Sequence, residues 1–186
     1  VVPVVDSLVF VPRRIVEEIE GRGLSLEDVL VEALPKMLNL DPRVTAESRL
    51  ELAERYLIEG RDLIDKDLIQ ASEKLYKAVE GCVKALAVHF NLEDILRSVE
   101  KRGRWAVADL EKTVEAISER IGEWVLSSWA QAWYLHVEGF HEARLDSRAV
   151  RIRIPYVERI VEETRRLLGT GEMQAVDVET SEGEIY

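Results

Sequence analysis

Residues 68–90 read LIQASEKLYKAVEGCVKALAVHF. Leu68, Ala71, Leu75, Ala78, Cys82 and Leu86 recur at steps of three and four, the spacing of one apolar helix face. In the same stretch Glu73, Lys77, Glu80 and Lys84 stand at i, i+4, i+7 and i+11 and form a second, charged stripe. Upstream, Leu50, Ala53, Leu57, Gly60 and Ile64 repeat the apolar step, and Asp65–Asp67 breaks the pattern briefly. Two long amphipathic helices on so short a connection imply antiparallel neighbours in a bundle.

The pattern continues downstream. Asn91 is placed to cap a short helix with Asp94 in its first turn, and Lys101–Arg104 reads as a basic loop around Gly103. Val107, Leu110, Val114, Ile117 and Ile121 form the cleanest stripe in the chain. Gly122 loosens the junction before a helix over 124–145. The alternation of Arg with Val and Ile over Arg148–Ile154 reads as extended, and Pro155 opens a last helix. The expected fold class is all-α: an up-and-down bundle of four to five helices over 46–168.

Two flanks differ from this body. Val1–Val11 is rich in β-branched residues and predicts a strand; Pro12 then suits the first turn of a helix carrying Ile15, Val16 and Ile19. Ser25 followed by Asp28 is a capping-box pattern for a second helix, Leu26 to Leu38, which Pro35 should kink or end near Leu34. Residues 1–45 therefore read as an accessory strand–helix–helix segment. Residues 169–186 hold five acidic and no basic residues, punctuated by Gly169, Gly171 and Gly183. They read as a flexible acidic tail with a short edge strand over 174–180 as the alternative.

Composition bounds the function. The chain has 186 residues, 47% of them apolar, and a net charge of -11. That charge divides as -3 over 1–50, -3 over 51–168 and -5 over 169–186, so the body is only mildly acidic. The total argues against a general binder of nucleic acid or membrane surfaces. A single cysteine, Cys82, excludes an internal disulfide and any multi-cysteine zinc site. No apolar run is long enough to span a membrane, and Val1–Val5 lacks a basic leader, so the expected compartment is the cytoplasm. Two Asn and three Gln in a chain one-third charged suggest a thermophile.

Two constellations carry candidate chemistry. The stripe Glu73, Lys77, Glu80 and Lys84 reads either as a solvated face of i, i+4 ion pairs or as a charged groove in which Lys77 or Lys84 meets an anion. The run WAQAWYLHVEGFHE, residues 129–142, puts Trp129, Trp133, His136 and Phe140 on one helical face. At 100° per residue His141 lies about 140° from His136, so the two do not make the i, i+4 pair that holds zinc. His136 reads as a core histidine. His141, beside Glu138 and Glu142, is a candidate acid–base group. Gly139 costs about 1 kcal/mol in a helix relative to Ala, which close approach of another helix would justify. Cys82 lies on the apolar stripe and reads as a structural thiol. No nucleotide-binding glycine loop, serine-nucleophile elbow or zinc-protease motif occurs, and no cofactor or metal is expected.

The segments GRDLIDKDLIQASEKLYKAVEGCVKALA (60–87), GRW (103–105) and WAQAWYLHVEGFHEARL (129–145) resemble the archaeal PaREP family of small helical proteins. The resemblance spans about 46–168. It implies a helical bundle akin to the HEPN (higher eukaryote and prokaryote nucleotide-binding) superfamily, frequent homodimers and a biochemical role not yet defined. Ribonucleases of that superfamily use an Arg followed by four to six residues and a His. The positions five to seven before His89, His136 and His141 hold no Arg, and Lys84 before His89 is the nearest approach.

Three functions follow as expectations. The first is a non-catalytic homodimeric bundle that binds a protein partner or a small anionic or nucleotide ligand through Glu73, Lys77, Glu80, Lys84, Trp133, His136 and His141. The second is a divergent RNA- or nucleotide-processing enzyme using Lys84, His141 and Glu142. The third is DNA binding by a ribbon-helix-helix-like N-terminal segment, whose strand offers no basic reader on either face.

Overall fold

The structure, a computed structural model, describes residues 10–22 and 24–179, with side chains described to Gly169. The chain divides into two units, Val1–Leu40 and Asp41–Tyr186.

In the first unit, α1 (Arg13–Glu20) and α2 (Leu26–Met37) form a helical pair. Ser25 caps α2 as expected, its hydroxyl accepting from the Asp28 amide at 3.1 Å. Pro35 does not end α2. The helix runs on to Met37 and closes where Asn39 adopts a left-handed conformation and the Leu40 amide reaches the Pro35 carbonyl at 2.9 Å. The expected N-terminal strand is corrected. No strand occurs among the described residues, and Phe10–Pro12, the described end of the β-branched run, is irregular. Pro12 has no amide to give a strand ladder. Residues 1–9 of that run lie outside the described residues.

The second unit is built on two 22-residue helices, α3 (Pro42–Leu63) and α4 (Leu68–His89). Asp41 caps α3 by accepting from the Arg43 amide at 2.7 Å, and Asp67 caps α4 by accepting from Gln70 at 3.0 Å. Gly60 lies against Leu75 and Ala53 against Gly81, so numbers fall on one helix as they rise on the other: the pair is antiparallel. Across it, Lys74 reaches Glu59 at 2.7 Å and lies 4.4 Å from the centre of the Tyr56 ring. Burial pushes the Glu59 carboxyl up, but the hydrogen bonds and charges of Lys74 and Arg55 outweigh it and leave the group below its ordinary range.

Then follow α5 (Glu93–Arg102), α6 (Val107–Ile121), α7 (Trp124–Tyr134), a π-helical turn (Leu135–His141), the short α8 (Ser147–Arg151) and α9 (Ile154–Glu179). Three local expectations change. Asn91 does not cap α5; it turns left-handed at φ 48° and closes α4, with the Leu92 amide bonded to the Ala87 carbonyl. Residues 148–154 are not extended, because Asp146 caps α8 through the Ala149 amide at 2.7 Å. The backbone of α9 continues through residues 169–179, which were expected to be a flexible tail with an optional edge strand. Glu172, Met173, Gln174 and Ala175 are good helix formers, which favours that continuation. The described residues are all helical, as the all-α class requires, with α3, α4, α6, the α7–π-turn segment and α9 as the longer elements of this unit.

The core runs along α4, buried on nearly every side through Leu75, Ala78, Val79, Cys82, Val83 and Leu86. Such an element reads as central rather than amphipathic. On α9, Val157, Ile160, Val161 and Thr164 are fully buried. Arg61 with Glu158 at 2.8 Å and Arg165 with Glu54 at 2.6 Å tie α9 antiparallel to α3. From α6, Leu110, Val114 and Ile117 are buried. Among the described residues no helix is long and apolar enough to cross a membrane.

Candidate functional site

The site forms where α4 meets the π-turn. In a π-helix the backbone bonds skip five residues instead of four. Here the Glu142 amide bonds to the Val137 carbonyl at 2.9 Å. Residues five apart therefore stack above one another, and His141 comes round onto His136. Their Nε2 atoms lie 3.1 Å apart. The expectation that the two histidines point about 140° apart is corrected; it assumed an α pitch that the chain does not keep.

Gly139 lets the π-turn approach α4. A Cβ at that position would overlap the Ser72 hydroxyl and stand 2.6 Å from Ser72 Cβ. Ser72 is fully buried, and its hydroxyl donates to the Leu68 carbonyl at 2.8 Å. The close approach puts Glu73, one residue along α4, beside His136. Glu73 Oε2 lies 2.7 Å from His136 Nδ1. A carboxylate only accepts, so Nδ1 carries the proton; in the neutral tautomer Nε2 then offers a lone pair. His141 then donates from Nε2, leaving its own Nδ1 as an acceptor on an exposed ring. The result is a directed chain: Glu73, His136, His141, solvent.

Aromatic rings fix its middle member. His136 stacks on Tyr76 at 4.2 Å and 26° and on Phe140 at 5.9 Å and 20°. Trp133 lies 5.6 Å from the same ring, and behind it Trp129 donates to Glu111 at 2.8 Å. Burial, reinforced by the charges of Glu80, Glu73 and Glu111, pushes the Tyr76 hydroxyl far above its ordinary value, so Tyr76 stays a neutral ring.

The charged stripe on α4 is only partly solvated. Glu73 and His136 are 15% and 19% exposed, and Glu80 and Lys84 are 19% and 16% exposed. These four side chains are thus half-buried and held in pairs. Lys84 pairs with Glu80 at 3.1 Å and lies 5.9 Å from the Trp105 ring centre. It is 11 residues beyond Glu73, about 16 Å along the helix, so it does not join the histidines. Lys77 is half-buried between the two groups. Glu142, expected beside His141, pairs with Arg144 at 2.9 Å, and Arg144 also reaches Glu138 at 3.3 Å. The structure thus gathers Glu73, His136, His141 and Trp133 and leaves Lys84 and Glu142 apart. Sequence reading placed Phe140 on the face of His136 but missed Glu73 as its partner and Tyr76 as its other wall; Gly139 was the available signal. Among the described residues no three His, Cys, Asp or Glu side chains converge on a metal position. Cys82 is fully buried, and burial pushes its thiol up to about 12, an inert structural group.

The sequence pattern of the archaeal PaREP1/PaREP8 family matches residues 48–161, which contain this site. The chain belongs to that family. Its fold is similar to a crystal structure of a protein from Sulfolobus solfataricus, with 37% identity, a TM-score of 0.58, and coverage of 62% of this chain and 95% of that one. It is also similar to a solution structure of the same target, the Orf c02003 protein, at 36% identity and a TM-score of 0.56, covering 62% of this chain and 90% of that one. No curated protein matches.

Proposed function

We propose that this PaREP1/PaREP8 protein is a proton-transfer catalyst of the nucleotide- or RNA-processing class, with His141 as general base. The reading rests on one observation, the Glu73–His136–His141 chain of contacts at 2.7 and 3.1 Å. His141 Nδ1 takes the proton of a water or hydroxyl. The positive charge that develops is shared through Nε2 with His136, whose other nitrogen faces the Glu73 carboxylate. The stacked Tyr76 and Phe140 rings hold His136 in register, so little reorganisation accompanies the transfer. Partly exposed Trp133 and Phe140 give a planar base a surface to stack on.

The test is turnover of nucleotides and short RNAs across pH 5–9. His141→Ala is expected to lower the rate by about 100-fold or more, the scale of general acid–base catalysis. Equal turnover in wild type and His141→Ala would overturn the reading. A second, non-catalytic reading, binding of a small anion, is favoured by the half-buried Lys84 beside Trp105. It predicts phosphate-compound binding that Lys84→Gln abolishes and His141→Ala leaves unchanged. A homodimer accompanies either reading and is checked by sedimentation at micromolar concentration.

A further inference from the structure

The geometry points to a second use of the facing imidazoles: His136 Nε2 and His141 Nε2 form a two-nitrogen chelate for a divalent first-row transition ion of the copper, nickel and zinc group. This goes beyond the acid–base reading and does not require it. Metal–imidazole bonds are about 2.0–2.1 Å long. Two such bonds at a right angle set their nitrogens about 2.9 Å apart, and at a tetrahedral angle about 3.4 Å. The observed separation of 3.1 Å falls between them. Residues at α-helical spacing of five do not meet in this way; the π-turn makes the pair.

Protons are accounted for without net loss. His136 already presents a lone pair at Nε2, because Glu73 holds its Nδ1 proton at 2.7 Å. Carboxylate to imidazole to metal is the arrangement that orients such ligands and raises their basicity. His141 now spends its Nε2 proton on the hydrogen bond to His136. Binding moves that proton to Nδ1 through solvent, which its exposed ring permits. The two rings stand nearly perpendicular, at 77° with centres 4.5 Å apart. A swing of the exposed His141 ring turns both lone pairs to a shared point while Tyr76 and Phe140 keep His136 still. With two protein ligands, water fills the remaining positions. The site is therefore exchangeable and follows the ordinary order, copper before nickel before or beside zinc.

Titration of the full chain with Ni²⁺ by calorimetry tests this, with circular dichroism as the check on folding. One ion per chain is expected, bound at least tenfold tighter than by His141→Gln or His136→Gln. His89→Gln, at the far end of α4, is expected to match wild type. With Zn²⁺, nitrogen NMR is expected to move Nε2 of both rings and leave the His136 Nδ1 proton in place. Binding unchanged in folded His141→Gln, or zinc shifting only one ring, overturns the chelate. Turnover is read separately, so the chelate and the acid–base reading fail on different results.

Discussion

Helix α4 and the α7–π-turn segment build the two walls of one site by opposite means. The first keeps a regular pitch for 22 residues and is buried on nearly every side. The second holds α pitch for 11 residues and then loosens into a seven-residue π-turn. Side chains on α4 keep the relative positions that their numbering dictates. Those on the π-turn meet partners that their numbering denies. The regular wall supplies the frame and one carboxylate. The irregular wall supplies both imidazoles. π-helical turns recur at functional sites for this kind of reason: they aim side chains that an α-helix would spread.

This contrast is open to direct attack. If α4 is frame, truncating its core should cost most. Leu86→Ala, at a fully buried position, is expected to lower unfolding free energy by about 2–5 kcal/mol in urea titration while the His136–His141 contact persists in NMR. Gly139→Ala strikes the irregular wall. It is expected to cost about 1–3 kcal/mol through overlap with Ser72, and to separate the imidazole resonances from Glu73. Ser72→Gly in the same chain should restore part of both losses, since it removes the atoms that the new methyl meets.

A smaller effect belongs to the α3–α4 frame alone. The Glu59 carboxyl is depressed below its reference value of 4.5 in the folded chain. Its stabilisation is thus complete above that value and is lost as pH falls through the folded pKa. Acid titration of wild type against Glu59→Gln should show a difference of about 1 kcal/mol or less at neutral pH, shrinking below pH 4.5. Smallest of all, exposed His141→Ala should move the melting free energy by no more than about 0.5 kcal/mol. A large loss there would mean that the relay is part of the frame, and would erase the distinction between the two walls.

The same distinction governs what was legible beforehand. The α3–α4 pair follows from Leu50 to Leu86 because apolar side chains at a 3.6-residue period need nothing but local spacing to declare themselves. Ser25 acts through a neighbour three residues away, equally local. Asn91 was misplaced because its left-handed turn ends one helix and abuts another, and both uses share one residue type. The partnership of Glu73 with His136 spans 63 residues and has no local trace. His141 was set on the wrong side because the period itself changes at Leu135. Gly139 carried the warning: a residue that weakens a helix stood in the middle of an aromatic stripe, and it marks where Ser72 of α4 comes close.

A π-turn carries one residue more per cycle than the α-helix around it. Deleting one residue between His136 and His141 would let the segment wind back to ordinary pitch and set the two histidines four apart, on one α-helical face. The wider turn thus does for a spacing of five what ordinary pitch does for a spacing of four.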